Sequence, residues 1–280
     1  MKAKLHTKLL FLIWFTCQNS LIYSINYHPV VGARSASMAH ASVALKDPFA
    51  VFNNPAMMAY SDKFSLNLHY ENRFLLKETS TSYMGSVLPL EKGGVFGLHV
   101  LHFGHVNYGE LNTGLSYAKA FGKAFSIGMR FDYLLSYFGE EIYGKSNGFT
   151  FEVGMYGQLS QSLGIGFVVY NPARLKMNTY NDVKEYIPTI IRLGLVYNIS
   201  EKCLLTSEIE KDMNYTPTFR LGVEYEINEH LFLRMGLSFP DFEYAFGVGW
   251  NIKSLKIDFS SNYHTVLGYS PQLSLNYTIK

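Results

Sequence analysis

From residue 63 onward, apolar and polar side chains alternate with a period of two. Over 125–137 the odd positions read Phe125, Ile127, Met129, Phe131, Tyr133, Leu135 and Tyr137. The even positions read Ser126, Gly128, Arg130, Asp132, Leu134 and Ser136. A strand sends such alternate residues to opposite faces. Phe219 to Ile227, Phe242 to Ile252 and Leu273 to Ile279 repeat the pattern. It predicts about 14 antiparallel strands near 64–72, 79–89, 94–104, 111–121, 125–137, 148–159, 163–170, 188–199, 203–211, 216–226, 230–239, 242–252, 255–263 and 270–279. Most of them have the ~9–11 residues that a tilted strand needs to cross a bilayer. An even strand number fits a bacterial outer-membrane barrel.

The connections carry a second signal. Short ones are expected at 90–93, 122–124, 160–162, 200–202, 227–229 and 253–254. Longer ones are expected at 73–78, 105–110, 138–147, 171–187, 212–215 and 264–269, and the short 240–241 is the exception to the alternation. Outer-membrane barrels pair short periplasmic turns with longer outer loops. The fold expected is an all-β transmembrane outer-membrane barrel.

Charge separates the two faces. Arg130, Asp132, Glu152, Arg192, Glu208, Glu210, Arg220, Glu224, Glu226, Arg234, Glu243, Lys256 and Asp258 fall opposite the apolar face. Facing lipid at mid-depth, an Arg or Lys would cost about 2–4 kcal/mol. These positions therefore read as lumenal, and their mixed signs suit a cross-linked interior.

Composition agrees. Aromatic residues are 16% of the 280, charged residues 16%, and the formal net charge is +2. So small a basic excess excludes a nucleic-acid binder, and the aromatic content excludes a disordered chain. No later run of 18 apolar residues suggests a membrane helix.

The N-terminus reads as a secretory signal over 1–24. Lys2, Lys4 and Lys8 precede the apolar run Leu9–Phe15, and small polar residues follow. Cleavage is expected between about Cys17 and Ser24. Residues 25–62 do not alternate and read as a plug or hatch inside a barrel of residues 63–280.

Within that segment lie Gly32-Ala33-Arg34-Ser35-Ala36-Ser37-Met38, then Val43-Ala44-Leu45-Lys46-Asp47, then Asn53-Asn54-Pro55-Ala56-Met57-Met58. This series resembles the N-terminal signature of the outer-membrane long-chain fatty-acid transporters (the FadL-like superfamily) and their PorV/PorQ relatives. Gly166 to Ala173 (GFVVYNPA) is a second, shorter match. The resemblance implies a 14-strand barrel with an N-terminal hatch. Two roles follow from it. The first is a PorV/PorQ-type accessory of type IX protein secretion, with secretion-system proteins or exported cargo as partners. The alternative is a passive FadL-like transporter of hydrophobic small molecules. The short loops favour the first. Outer-membrane lipids are partners under either.

Candidate plug and gate residues are Gly32, Arg34, Asn53, Asn54 and Pro55. Asn54-Pro55 reads as a turn, since Pro fixes φ, and also as a moving hatch element. Arg34 is expected to pair with inward carboxylates and fasten the plug to the wall. No catalytic, cofactor or metal site is expected. His99 and His105 share a strand face but lie roughly 20 Å apart at ~3.3 Å per residue, with His102 on the other face. No G-x-S-x-G or H-E-x-x-H run occurs, so the protein reads as a non-enzyme.

Overall fold

The structure, a computed structural model, describes residues 28–91, 93–139, 144–178 and 184–279. The segment 1–24, expected to be a signal, and Cys17 within it lie outside the described residues. The strands are β1 (Ser65–Asn72), β2 (Ser80–Leu90), β3 (Gly94–His105), β4 (Tyr108–Phe121), β5 (Phe125–Phe138), β6 (Lys145–Gln158), β7 (Leu163–Tyr170), β8 (Lys176–Asn178), β9 (Lys184–Tyr186), β10 (Ile190–Asn198), β11 (Cys203–Asp212), β12 (Thr218–Asn228), β13 (Leu231–Phe239), β14 (Glu243–Ile252), β15 (Leu255–His264) and β16 (Gly268–Thr278). Each pairs antiparallel with its neighbour, and β1 closes on β16 with Ser65 opposite Thr278. The result is a closed 14-strand barrel; β8 and β9 form a small hairpin attached to β6. No helix among the described residues is long and apolar enough to cross a membrane.

Closure leaves no edge, so every strand can satisfy its backbone within lipid. The alternation then decides what meets lipid. Leu68, Met84, Leu98, Phe131, Phe149, Met235, Trp250 and Phe259 are exposed outward. Arg130, Asp132, Glu152, Arg192 and Glu208 are at most 1% exposed and point inward.

Ser65 and Thr278 lie at one end, as do the end of β2, the start of β3 and the turns at 122–124, 159–162, 199–202, 229–230 and 253–254. At the opposite end the lengths differ from expectation. The loop expected at 105–110 shrinks to residues 106–107, because β4 begins three residues earlier. The 264–269 loop shrinks to 265–267 in the same way. The 171–187 stretch gains the β8–β9 hairpin, whose three-residue strands are too short to show a period.

The lumen is filled from the N-terminal side. Residues 28–60 contribute α1 (Ala33–Ser37), α2 (Ala50–Asn53) and a 3-10 helix, Pro55–Tyr60. Most of their side chains are buried, and Met38, Ala44, Leu45, Val51, Met57 and Met58 pack with wall residues Val87, Val95, Ala118 and Tyr156.

Candidate functional site

The plug meets the wall closely at wall positions without side chains, at three of them through its backbone. A Cβ on Gly128 of β5 would lie 2.4 Å from the Pro55 carbonyl carbon, and one on Gly166 of β7 would lie 2.3 Å from the Val43 oxygen. Gly236 meets the Ala39 backbone in the same way, while Gly154, Gly194, Gly222 and Gly247 make room for the side chains of Asn54, Val43, Met38 and Ser37. Inward glycines on strands mark close backbone approach. These seven stood on the polar face of the alternation, but their common purpose emerges only when register brings them around one lumen.

Three buried ionic groups tie the plug down. In the first, Arg130 Nε donates to both Asp132 carboxylate oxygens at 2.9 and 3.0 Å. Its terminal nitrogens reach Glu152, the Phe52 carbonyl and His28 Nε2, the last at 2.8 Å. The guanidinium also lies over the Phe52 ring. In the second, Arg192 Nε donates to Glu208 at 2.7 Å while its Nη1 donates to the Asn53 carbonyl at 3.0 Å. Glu208 Oε2 accepts the Ser42 and Val43 N–H groups, each at 2.8 Å. In the third, Arg34 donates to Glu224, and Arg234 links Glu224 to Asp258.

The candidate residues from the sequence are distributed through this assembly. Gly32 precedes α1 at φ 105°, where a Cβ would also strike the Phe49 ring at 2.9 Å, so both backbone and space call for glycine. Arg34 bonds both Glu224 oxygens at 2.7 Å, and its Nη1 reaches the Lys46 carbonyl and Asp47. Burial opposes its charge, but Glu224 and then Asp47 overcome this and hold its proton more firmly than in a free arginine. Asn53 clamps Val31 at both ends: its Oδ1 accepts the Val31 N–H at 2.9 Å and its Nδ2 donates to the Val31 carbonyl at 2.7 Å. Asn54 caps the 3-10 helix through Oδ1 on the Ala56 N–H, with Pro55 at the first helical position. Its Nδ2 donates to the Val43 carbonyl at 2.6 Å.

Sequence reasoning passed over His28 and His40. Both are neutral bases in the plug. Burial, then Arg130, pushes His28 well below the ordinary histidine value. Burial, then Arg220, pushes His40 down to about 3. His99 and His102 do point to opposite faces. His99 Nε2 bonds Asn112 inside at 3.1 Å, and His102 Nε2 bonds the Tyr137 hydroxyl at 2.8 Å outside.

Above these ionic groups the lumen has an apolar side. Val31, Phe49 and Phe52 of the plug pack with Tyr83, Leu101 and Phe103 of the wall. Next to them, Leu134, Tyr170 and Ile190 of the wall enclose Met177 and Ile187 from the outer 171–189 segment. Asn171 holds that segment closed: Nδ2 donates to the Ile187 carbonyl at 2.7 Å and Oδ1 accepts the Leu175 N–H at 2.8 Å. The interior therefore holds two closely packed apolar clusters beside a plug held with reversible bonds.

No protein-family model and no curated protein sequence matches the chain. Solved structures do. A Pseudomonas aeruginosa FadL homologue is 15% identical with a TM-score of 0.66, covering 89% of this chain and 98% of its own. The CymD monoaromatic hydrocarbon channel is 13% identical with a TM-score of 0.69, covering 89% and 97%. The Pseudomonas putida toluene transporter TodX is 11% identical with a TM-score of 0.67, covering 89% and 98%. At such identities the likeness is one of fold, and it spans nearly the whole of each chain: this protein has the fold of the FadL-type outer-membrane barrels.

Proposed function

We propose that the protein is a non-enzymatic outer-membrane channel for hydrophobic small molecules, gated by residues 28–62. The observation that carries this reading is the pair of apolar clusters packed inside the barrel. The interior of an outer-membrane barrel is ordinarily polar. Here Phe49 and Phe52 of the plug pack with Tyr83 and Leu101, and Leu134, Tyr170, Met177 and Ile190 pack beside them. These side chains cover one another while the plug is seated; when they part, an apolar solute that covers them instead gains about 25 cal/mol per Å². The FadL homologue, the hydrocarbon channel and the toluene transporter support the same reading by fold. The order of the two roles drawn from the sequence is thereby reversed. Secretion-system partners and exported cargo have no counterpart in these structures, and the PorV/PorQ-type role stands second. In the membrane reading, residues 1–24 serve as the export signal and the Ser65–Thr278 end faces the periplasm.

The test is uptake of labelled toluene and of a labelled long-chain fatty acid by cells whose own channels of this kind are deleted and which express this chain. The expected result is uptake of at least one above the empty-vector level, lost in Phe52→Asp. Uptake equal to the empty vector for both would overturn the proposal.

A further inference from the structure

A second candidate binding surface lies on the outside of the barrel, away from the plug. On β16, β1, β2 and β3, register sets two rows of outward side chains side by side. The upper row is Leu273, Tyr70, Ser82 and His102; the lower is Leu275, Leu68, Met84 and Val100. Ser82 is the small member, flanked by Tyr70 and His102 on the adjoining strands. The wall is therefore indented between two rings and closed below by Met84. The indentation measures about 390 Å³ and is lined almost wholly by these residues.

Two further observations say what enters it. First, the slot does not communicate with the lumen. Behind it, Tyr83 and His69 turn inward and pack their rings against Phe49 of the plug. Anything in the slot has come from the membrane. Second, the β1–β2 loop crosses above the same four strands. Its turn Arg73–Leu75 rests on β16 and its turn Lys77–Thr79 on β3. Within it Phe74 and Leu75 hold φ values of 56° and 59°, which bulky side chains rarely adopt. That backbone leaves Leu75 and Leu76 at 61% and 51% exposure. Strain that exposes two leucines is costly in water, but inside hydrocarbon the leucines are in their preferred medium. The loop extends the apolar wall upward, and the Ser82 hydroxyl and the His102–Tyr137 pair supply the slot's polar atoms.

We propose that this slot is a binding site for one acyl chain of a membrane lipid, seated between Tyr70 and His102 over Ser82, next to the β1–β2 loop. The proposal does not depend on what passes through the lumen.

The experiment is native mass spectrometry of the full processed chain, folded in detergent with phosphatidylethanolamine and then washed with lipid-free detergent. The expected result is one lipid retained per wild-type barrel, with the retained fraction at least tenfold lower in Ser82→Trp, which fills the slot. Leu76→Ser removes an exposed apolar side chain of the adjoining loop without entering a strand and is expected to lower retention several-fold. Leu205→Trp, on an outward position of β11, is expected to retain lipid as wild type does. Heat-modifiable gel mobility confirms that each variant forms the barrel; should Ser82→Trp fail that check, Leu76→Ser carries the test. No retained lipid in the wild type, or equal retention in wild type and the slot variants, would overturn the site. So would displacement of the lipid by toluene at concentrations that saturate uptake, since the slot would then belong to the transported molecule.

Discussion

The Arg34 guanidinium and the Glu224 carboxylate meet across the boundary between plug and wall through two bonds of 2.7 Å. One partner comes from α1 and the other from β12, 190 residues later. The pair is a fork-on-fork contact, the stronger geometry for such ions. It is also a fastening that can open without breaking a covalent bond. Arg34→Ala leaves Glu224 with Arg234 as its remaining cation. The expected cost is ~2 kcal/mol, below the ~3–5 kcal/mol of a buried charge left wholly unpaired. In planar bilayers, single-channel conductance should rise from near zero to frequent openings. A silent Arg34→Ala channel would show that the pair does not hold the plug.

The two plug histidines set a pH dependence. His28 and His40 are neutral in place, with burial holding both below the ordinary value and His40 at about 3. A released plug exposes them at ~6.5. Between those values the released form binds more protons, so the seated form is favoured above pH ~6.5 and loses ground as pH falls, by ~1.4 kcal/mol per unit for each histidine. Acidification from pH 7 to pH 5 is therefore expected to raise conductance or protease access to residues 28–62. The combined His28→Gln, His40→Gln variant should flatten that response. An unchanged response in the double variant would place the acid sensitivity elsewhere.

The glycine seats predict an opposite kind of variant, one that spoils the fit and spares the barrel. Gly128→Val places a branched side chain where the Pro55 backbone lies 2.4 Å from the Cβ position, and a backbone cannot swing aside as a side chain can. The barrel should still migrate as a folded, heat-modifiable species. Its lumen should conduct continuously. A closed pore in Gly128→Val would mean that the plug has room to shift.

At the outer mouth, Asn171 is wholly buried at φ 51° and bonds both arms of the 171–189 segment. Asn171→Ala removes the acceptor for Leu175 N–H and the donor to Ile187, at ~1–3 kcal/mol for a buried group left unsatisfied. Trypsin cleavage at Arg174, Lys176 or Lys184 should accelerate in intact cells, with little change in the thermal transition of the barrel.

The strands were legible because lipid outside and a polar lumen inside force a strict period of two. Phe125 to Phe138 shows it along almost its whole length. Loop lengths were less legible: Tyr108, Gly109 and Glu110 look like a turn in isolation, yet they pair with Phe138, Tyr137 and Ser136. The charges could be assigned to the lumen, but not to partners. Arg130 faces Glu152, Arg220 faces Glu208 and Arg234 faces Glu224 directly across neighbouring strands. Those pairings need register, which local patterns do not supply. Arg34 was legible as a cation in a segment destined for a lumen rich in carboxylates; the bonds from Arg130 and Arg192 to plug carbonyls were not, because a carbonyl has no signature in sequence.

The ring of bare wall positions also orders assembly in time. Gly128, Gly166 and Gly236 sit on β5, β7 and β13, distant along the chain and far apart on an open sheet. They face a common axis only once β1 has joined β16. Until that seam forms, the N-terminal segment has no mould to settle into. Residues 28–60, which precede every wall strand in the chain, are therefore the last to find their place, and a seated plug certifies a finished cylinder.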